Sequence, residues 1–328
     1  MVSITRHNSF TGLAAAWERV LPSGRSRGPF LTWQWQDLWW EAFQEEGDDL
    51  FLLALAEGQH TVGIAPLLRR HGDLTFACGT DVSDYLDLIA VPGREAEVAE
   101  ALAAYLVRED WRTLQLDSLS ADSTVLRYLA PALSAAGLPV AVSQQEVCPT
   151  VDLPGDWETY LASLSKKNRH ELRRKLRRLD GAGEVRWLVL MDGDITERDQ
   201  DDFLALHRLS TPDKAAFMDE RMEKFFRGIF ARFGNQGLLR LYLLELADRR
   251  VAAALSFDSD GELLLYNSGY DPACSALSVG LILKANCLRD AIALGRERFD
   301  FLRGNERYKY DLGGVDVPLY GLRVVRRN

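Results

Sequence analysis

Leu263-Leu-Leu-Tyr-Asn-Ser-Gly-Tyr-Asp-Pro272, continued by Ala273-Cys-Ser-Ala-Leu-Ser-Val-Gly280, leads from one kind of secondary structure into another. The apolar and aromatic run Leu263–Ser268 suits a strand, and the turn residues behind it close that strand. A helix is predicted from Ser278 to Leu294, with Ser278 as its N-cap. The first turn of such a helix carries backbone N–H groups without intrahelical partners and the positive end of the helix dipole, which suits an anionic group such as a phosphate. Gly280 would let that group approach the backbone closely. The same residues also suit a capped core helix whose glycine serves packing.

Working outward, Leu238–Leu246 and Val251–Phe257 are apolar runs suited to adjacent strands, and short strands are predicted at Arg298–Phe301 and Leu319–Val325. Upstream lie a strand at Val185–Leu190 and helices at Glu197–Leu209 and Asp219–Phe233. Trp157–Leu179 reads as one helix with a leucine stripe, stopped by Asp180-Gly-Ala-Gly183. The first half follows the same plan. Thr32–Phe43 places Trp35, Trp39 and Phe43 on one helix face, read as core. Strands follow at 51–56, 61–68, 74–77 and 85–91, then a helix at 95–107, a strand at 113–116, a helix at 123–136 and a strand at 140–147. The fold class is therefore mixed α/β (α+β). With 328 residues and about 150 per domain, two domains are expected, 1–150 and 151–328.

Composition narrows the function classes. At 47% hydrophobic and 27% charged residues the chain is too apolar for disorder. No apolar run approaches the roughly 20 residues of a membrane span, and the N-terminal residues lack the apolar core of a signal peptide. The four cysteines (Cys78, Cys148, Cys274, Cys287) are scattered, which argues against a zinc ribbon or disulfide scaffold and fits a cytoplasmic setting. Walker, Gly-x-Ser-x-Gly, Gly-x-Gly-x-x-Gly and His-Glu-x-x-His patterns are absent, and the five histidines are dispersed, so no metal site is expected. The net charge of −9 hides an asymmetry: residues 1–150 hold 10 Arg, no Lys and 20 acidic residues. Lys166–Arg178, by contrast, holds eight basic residues against Glu171 alone. Such a segment is a solvated face, a clamp onto the acidic half, or a contact for an anion through Lys166, Lys167 and Arg169. Nucleic acid is disfavoured, since one basic stripe on an acidic chain is not a broad phosphate-binding surface.

Three segments resemble a known family. They are Ser165-Lys-Lys-Asn-Arg-His-Glu-Leu-Arg-Arg-Lys175, Tyr266-Asn-Ser-Gly-Tyr-Asp-Pro272 with Ser278-Val-Gly280, and Phe299-Asp-Phe-Leu-Arg-Gly-Asn-Glu-Arg-Tyr-Lys-Tyr310. Together with Asp81-Val-Ser-Asp-Tyr-Leu-Asp-Leu88 they resemble the FemAB-like and CelD-type (cellulose-biosynthesis) branch of the GNAT N-acyltransferase superfamily, over essentially the whole chain. The resemblance implies two tandem GNAT-like domains, each a mixed, largely antiparallel sheet flanked by helices. The second would hold acyl-CoA, in the simplest case acetyl-CoA, and the acceptor would lie in a cleft between the domains. One departure stands out: aligning Gly280 with the end of the superfamily's pyrophosphate loop puts Ser275 and Ser278 where an Arg or Gln and a glycine are usual.

Under this resemblance the donor contacts are Ser275, Ser278, Val279, Gly280, Tyr266 and Asn267. Tyr308-Lys309 matches an aromatic–lysine pair near the reacting carbonyl, where an ammonium would stabilise an oxyanion. Tyr308, Asp84 or Asp87 would handle protons, the alternative for Tyr308 and Tyr310 being alternation along an edge strand. Asp87, Tyr85, Lys166, Lys167, Arg169, Arg303 and Glu306 are candidates for acceptor binding. The implied activity is transfer of an acyl group from a coenzyme A thioester to an amine of a small molecule, sugar or peptide, in cell-envelope or exopolysaccharide metabolism. Two rival readings stand beside it: an aminoacyl-tRNA-dependent transferase that builds peptidoglycan bridges, and a catalytically inactive GNAT-like binding module.

Overall fold

The structure, a computed structural model, describes residues 2–21 and 28–326. Two compact units emerge, one of residues 1–146 with 318–328 and one of residues 147–317. In chain order the first unit begins with β1 (Ser3–His7), α1 (Ala14–Val20), α2 (Trp33–Phe43), β2 (Asp49–Glu57), β3 (His60–Arg70) and β4 (Asp73–Phe76). It continues with β5 (Ile89–Ala90), α3 (Glu95–Arg108), β6 (Thr113–Ser120), a π-helical turn at Val125–Leu129 that runs into α4 (Ala130–Ala135), and β7 (Val140–Asp152), which leads into the second unit. Thr32 caps α2, and Trp35 is fully buried on it, donating from its indole N–H to Ser83 Oγ at 2.9 Å.

The second unit contains α5 (Trp157–Ser163), α6 (Lys166–Asp180), β8 (Val185–Met191), α7 (Glu197–Ser210), α8 (Pro212–Phe217), α9 (Glu220–Phe233) and β9 (Leu239–Leu246). Then come β10 (Arg249–Ser259), β11 (Glu262–Tyr270), a 3-10 turn at Pro272–Leu277, α10 (Val279–Ala293), β12 (Arg298–Asp300) and α11 (Arg307–Asp311); the last strand, β13 (Val315–Val325), returns the chain to the first unit. The core of the second unit gathers Tyr160, Leu172, Tyr242, Leu283, Leu288 and Phe299.

The two units repeat one sheet plan. In the first, the order is β1-β2-β3-β4-β6-β13, with β5 beside β3; in the second it is β8-β9-β10-β11-β12-β7. Each begins with three antiparallel pairings, takes one parallel step (β4 to β6, β11 to β12), and ends on an antiparallel strand. A parallel pair needs a crossover, and α3 supplies it in one unit and α10 in the other.

Three local expectations are corrected. The predicted helix over 157–179 is two helices, because Ser165 turns the chain and its Oγ accepts from Asn168 N at 3.1 Å to start α6. The predicted strand at 85–91 shrinks to Ile89–Ala90. Tyr308 and Tyr310 do not alternate on an edge strand; they lie on α11, a single helical turn.

Candidate active site

The site is framed by β11. Beside β12 it pairs only through Glu262–Leu264, while its antiparallel partner β10 follows it on to Tyr270. The register shifts so that Leu255 faces Asn267 and Ser256 faces Leu265, leaving Tyr266 as the extra residue of a bulge. Bulges re-aim side chains and recur next to active sites. Here Tyr266 packs on the rings of Phe226 and Phe257, and Asn267 hydrogen-bonds with His207 of α7. Gly269 permits this: a Cβ there would run into the backbone of Leu206 and His207, so α7 lies directly on the strand.

The start of α10 differs from the sequence expectation. Ser278 takes a left-handed conformation (φ 58°, ψ 33°), and its side chain makes no capping bond. Gly280 is needed for packing, since a Cβ would sit 3.0 Å from the Tyr270 ring. Val279 is buried and Ser275 exposed. Tyr270 therefore packs against Gly280, at the start of α10.

Around the far end of β11 three lysines gather. Lys309, on α11, is buried, and its ammonium donates to the carbonyls of Leu302, Arg303 and Gly304 at 2.9, 2.7 and 3.1 Å, with Glu306 at 3.0 Å. An ammonium has three protons, and three carbonyls already take them. The expectation that Lys309 stabilises an oxyanion is therefore corrected: it ties down the Leu302–Gly304 segment. Glu306 remains more than half exposed, at 57% of its side chain. Asp300 assists by accepting from Leu302 N at 2.6 Å. The Arg303 backbone is part of this tie.

Lys214, on α8, donates to the carbonyl of Ser268, and burial pushes it down to about 8. Lys284, on α10, lies 4.6 Å over the Tyr308 ring and donates to Gly280 O at 3.2 Å. Burial first, and then the charge of Lys214, pushes Lys284 down to about 7. Glu306 opposes the downward shift of both lysines. Burial drives the Tyr308 hydroxyl far above the ordinary tyrosine range, so it stays protonated and is corrected as a base. Burial, aided by Lys214, pushes His207 down to about 3, and its Nδ1 has no hydrogen-bond partner.

A second feature lies on α6. Lys167, Glu171 and Lys175, with Asn168 and Leu172, form one face of the helix. They line a cavity of about 270 Å³ with Leu281, Arg307, Asp311 and Leu312. Leu172, Leu281 and Leu312 give it apolar walls, and Lys167, Lys175 and Arg307 supply cations. Lys166 is exposed and outside this lining, while Arg169 reaches back to Ala162 O at 3.0 Å.

The first-unit candidates behave differently. Asp87 is buried, and its carboxylate accepts from Leu88 N, Thr124 N and Val125 N at 2.8, 2.8 and 3.0 Å. It caps the turn that leads into α4, which corrects its reading as an acceptor ligand. Asp84 is buried and Tyr85 half-buried with φ 53°. A cavity of about 180 Å³ is lined by Trp39, Arg70, Thr80, Leu86 and Asp117 among others, but by none of Asp84, Tyr85 and Asp87. Among the described residues no group of three or more His, Cys, Asp or Glu could hold a metal, and no helix is long and apolar enough to cross a membrane.

Sequence reasoning missed Lys284, Lys214, His207 and Arg307. For Lys284 a signal existed: it is the one cation in the otherwise uncharged run Val279–Leu288. Arg307 stood within the quoted run Phe299–Tyr310; for Lys214 and His207 there was no signal, since α7 and α8 reach β11 only in the folded chain.

Residues 166–310 match the acetyltransferase (GNAT) domain family. The GNAT match runs from α6 to Tyr310, taking in the lysine cluster and all of the larger cavity's lining but Asp311 and Leu312. Solved structures of similar fold include FemX (TM-score 0.60, 12% identity, 97% of this chain and 96% of that one). L-PGS from Bacillus licheniformis is similar at TM-score 0.58 and 11% identity, over 99% of this chain and 94% of that one. A tandem GNAT protein from the clavulanic acid biosynthesis pathway, solved without AcCoA, is similar at TM-score 0.53 and 12% identity over 100% of both chains. No curated protein matches. The family match is confined to residues 166–310, and the solved structures share the fold, which is mixed α/β with two tandem GNAT-like units.

Proposed function

We propose that the chain is an acyltransferase that moves an acyl group, in the simplest case acetyl, from coenzyme A to an amine. The observation that carries this is the 270 Å³ cavity lined mostly by the GNAT-matching segment. Apolar walls suit the pantetheine arm, and Lys167 suits a phosphate, joined by Lys175 and Arg307 where these exchange their long ion pairs with Glu171 (3.9 Å) and Asp311 (3.8 Å). This would move the phosphate contacts from the Ser275–Gly280 backbone to side chains of α6 and α11. The acceptor is a small-molecule, sugar or peptide amine, and a role in cell-envelope or exopolysaccharide metabolism suits the resemblance stated above. An acyl-CoA donor fits a cytoplasmic setting.

Transfer proceeds by direct attack of the amine on the thioester. Lys309 acts as a positioning residue, holding the Leu302–Gly304 carbonyls and Glu306 beside Tyr308. Calorimetric titration with acetyl-CoA should show binding, and Lys167→Glu with Arg307→Glu should weaken it at least tenfold. Release of free thiol in the presence of an amine panel should report turnover. No heat and no thiol release with any acyl-CoA would overturn the proposal.

A second reading has one observation in its favour: the solvent-facing cations of α6, such as Arg177 and Arg178, lie outside the cavity and would suit a polyanionic donor such as charged tRNA. Transfer from aminoacyl-tRNA without coenzyme A would establish it instead. Donor binding without turnover on any acceptor would favour an inactive binding module.

A further inference from the structure

Lys309 and Lys284 belong to one cluster and are furnished in opposite ways. All three protons of Lys309 meet carbonyls, and a carboxylate stands beside it. Lys284 is also buried, yet it has one carbonyl at 3.2 Å and the face of the Tyr308 ring. Among the described residues no carboxylate pairs with it. The charged groups that face it are Lys214 from α8 and Glu306 and Lys309 from the Leu302–Asp311 segment; the neutral Cys287 thiol on its own helix and the Tyr308 ring complete its surroundings. Two of the three charged neighbours are cations. Its helix neighbours Ile282, Leu283 and Ala285 are apolar core, so a leucine or methionine would fill the position at lower cost. Lys214 repeats the pattern at the neighbouring edge, with one carbonyl acceptor, Ser268 O, and, among the described residues, no paired carboxylate.

An acceptor amine arrives as an ammonium and must lose a proton before it can attack. We propose that Lys284 is the catalytic residue that accepts this proton, and that Lys214 is a positioning residue whose charge acts through it, roles that presuppose the acyl transfer proposed above. In the step, the acceptor R–NH3+ gives one proton to the Lys284 Nζ lone pair and becomes R–NH2. The amine lone pair forms the C–N bond to the thioester carbonyl carbon. The C–S bond then breaks, its electron pair leaves on the coenzyme A sulfur, and the second amine proton passes to that sulfur to give the free thiol. Lys284 returns its proton to water, so the sum is one amide, one thiol and one proton released. The fall of Lys284 to about 7 agrees with the geometry, since a base must be largely unprotonated at working pH.

The test uses the full chain with lysine labelled at the ε-carbon. The Lys284 signal, assigned by its loss in Lys284→Met, should titrate near pH 7; titration above pH 9 overturns the proposal whatever the activity. In acyl transfer from acetyl-CoA, Lys284→Met and Lys284→Arg should both lower kcat by about 100-fold or more, with acetyl-CoA affinity unchanged. Arginine keeps a cation in place but cannot accept a proton, so recovery by Lys284→Arg overturns the base role. Lys214→Gln should move the acid limb of the kcat/KM profile to higher pH, a shift that a purely structural residue would not cause; an unmoved limb overturns the role of Lys214. If the unmodified chain transfers nothing from any acyl-CoA, the acyl-transfer proposal fails and the base role with it, while the titration still reports the state of Lys284.

Discussion

Replacing Lys284 by methionine should make the protein more stable at pH 6 and leave it nearly unchanged at pH 10.5. The unfolded chain presents an ordinary lysine near 10.5, whereas burial and the charge of Lys214 bring the folded one to about 7. Between those values the unfolded state binds the extra proton, so this group adds stability as pH rises from about 7 to 10.5, and that gain is lost on the way down. At 1.36 kcal/mol per unit the difference amounts to roughly 3–5 kcal/mol, the lower figure allowing for relaxation and water entry around the ammonium. Methionine nearly matches the shape of lysine without the charge, so the variant should escape the loss at low pH. At high pH it forfeits only the bond to Gly280 O, about 1 kcal/mol. Urea unfolding at pH 6, 8 and 10 measures this, with equal m-values in both chains as the check on two-state behaviour. A stability difference that is the same at all three pH values, or a less stable variant at pH 6, would refute the reasoning.

Three further outcomes follow from the packing. Gly269→Ala should cost about 2 kcal/mol or more in thermal unfolding, because the added methyl meets helix backbone that cannot rotate away. Asp87→Ala should cost about 2–4 kcal/mol, since it strips Leu88, Thr124 and Val125 N–H of their acceptor in a buried place; unchanged stability would mean that water replaces the carboxylate. Lys309→Met should leave three carbonyls unsatisfied, at about 2–4 kcal/mol, and expose the chain between Leu302 and Arg307 to limited proteolysis while acetyl-CoA affinity is retained.

Periodicity in the sequence determined most helices and strands, the division into two α/β halves and the basic character of α6, because 3.6- and 2-residue repeats are local properties of the chain. The GNAT-like segments from Ser165 to Tyr310 were legible for the same reason: each is a contiguous run whose residue types carry the resemblance. Only the tertiary structure decided what those residues do. Lys309 looked like an oxyanion donor until its ammonium was found bound to three carbonyls of its own loop, and Asp87 looked like an acceptor ligand until Thr124 and Val125 came to meet it. Lys284 and Lys214, 70 positions apart in sequence, share one low-dielectric place because α8 and α10 both pack beside β11. The assignment of residues 318–328 to the first unit likewise depends on β13 pairing with β6. Burial, hydrogen-bond saturation and the charge felt by an ammonium are set by atoms brought from distant parts of the chain, and no local pattern encodes them.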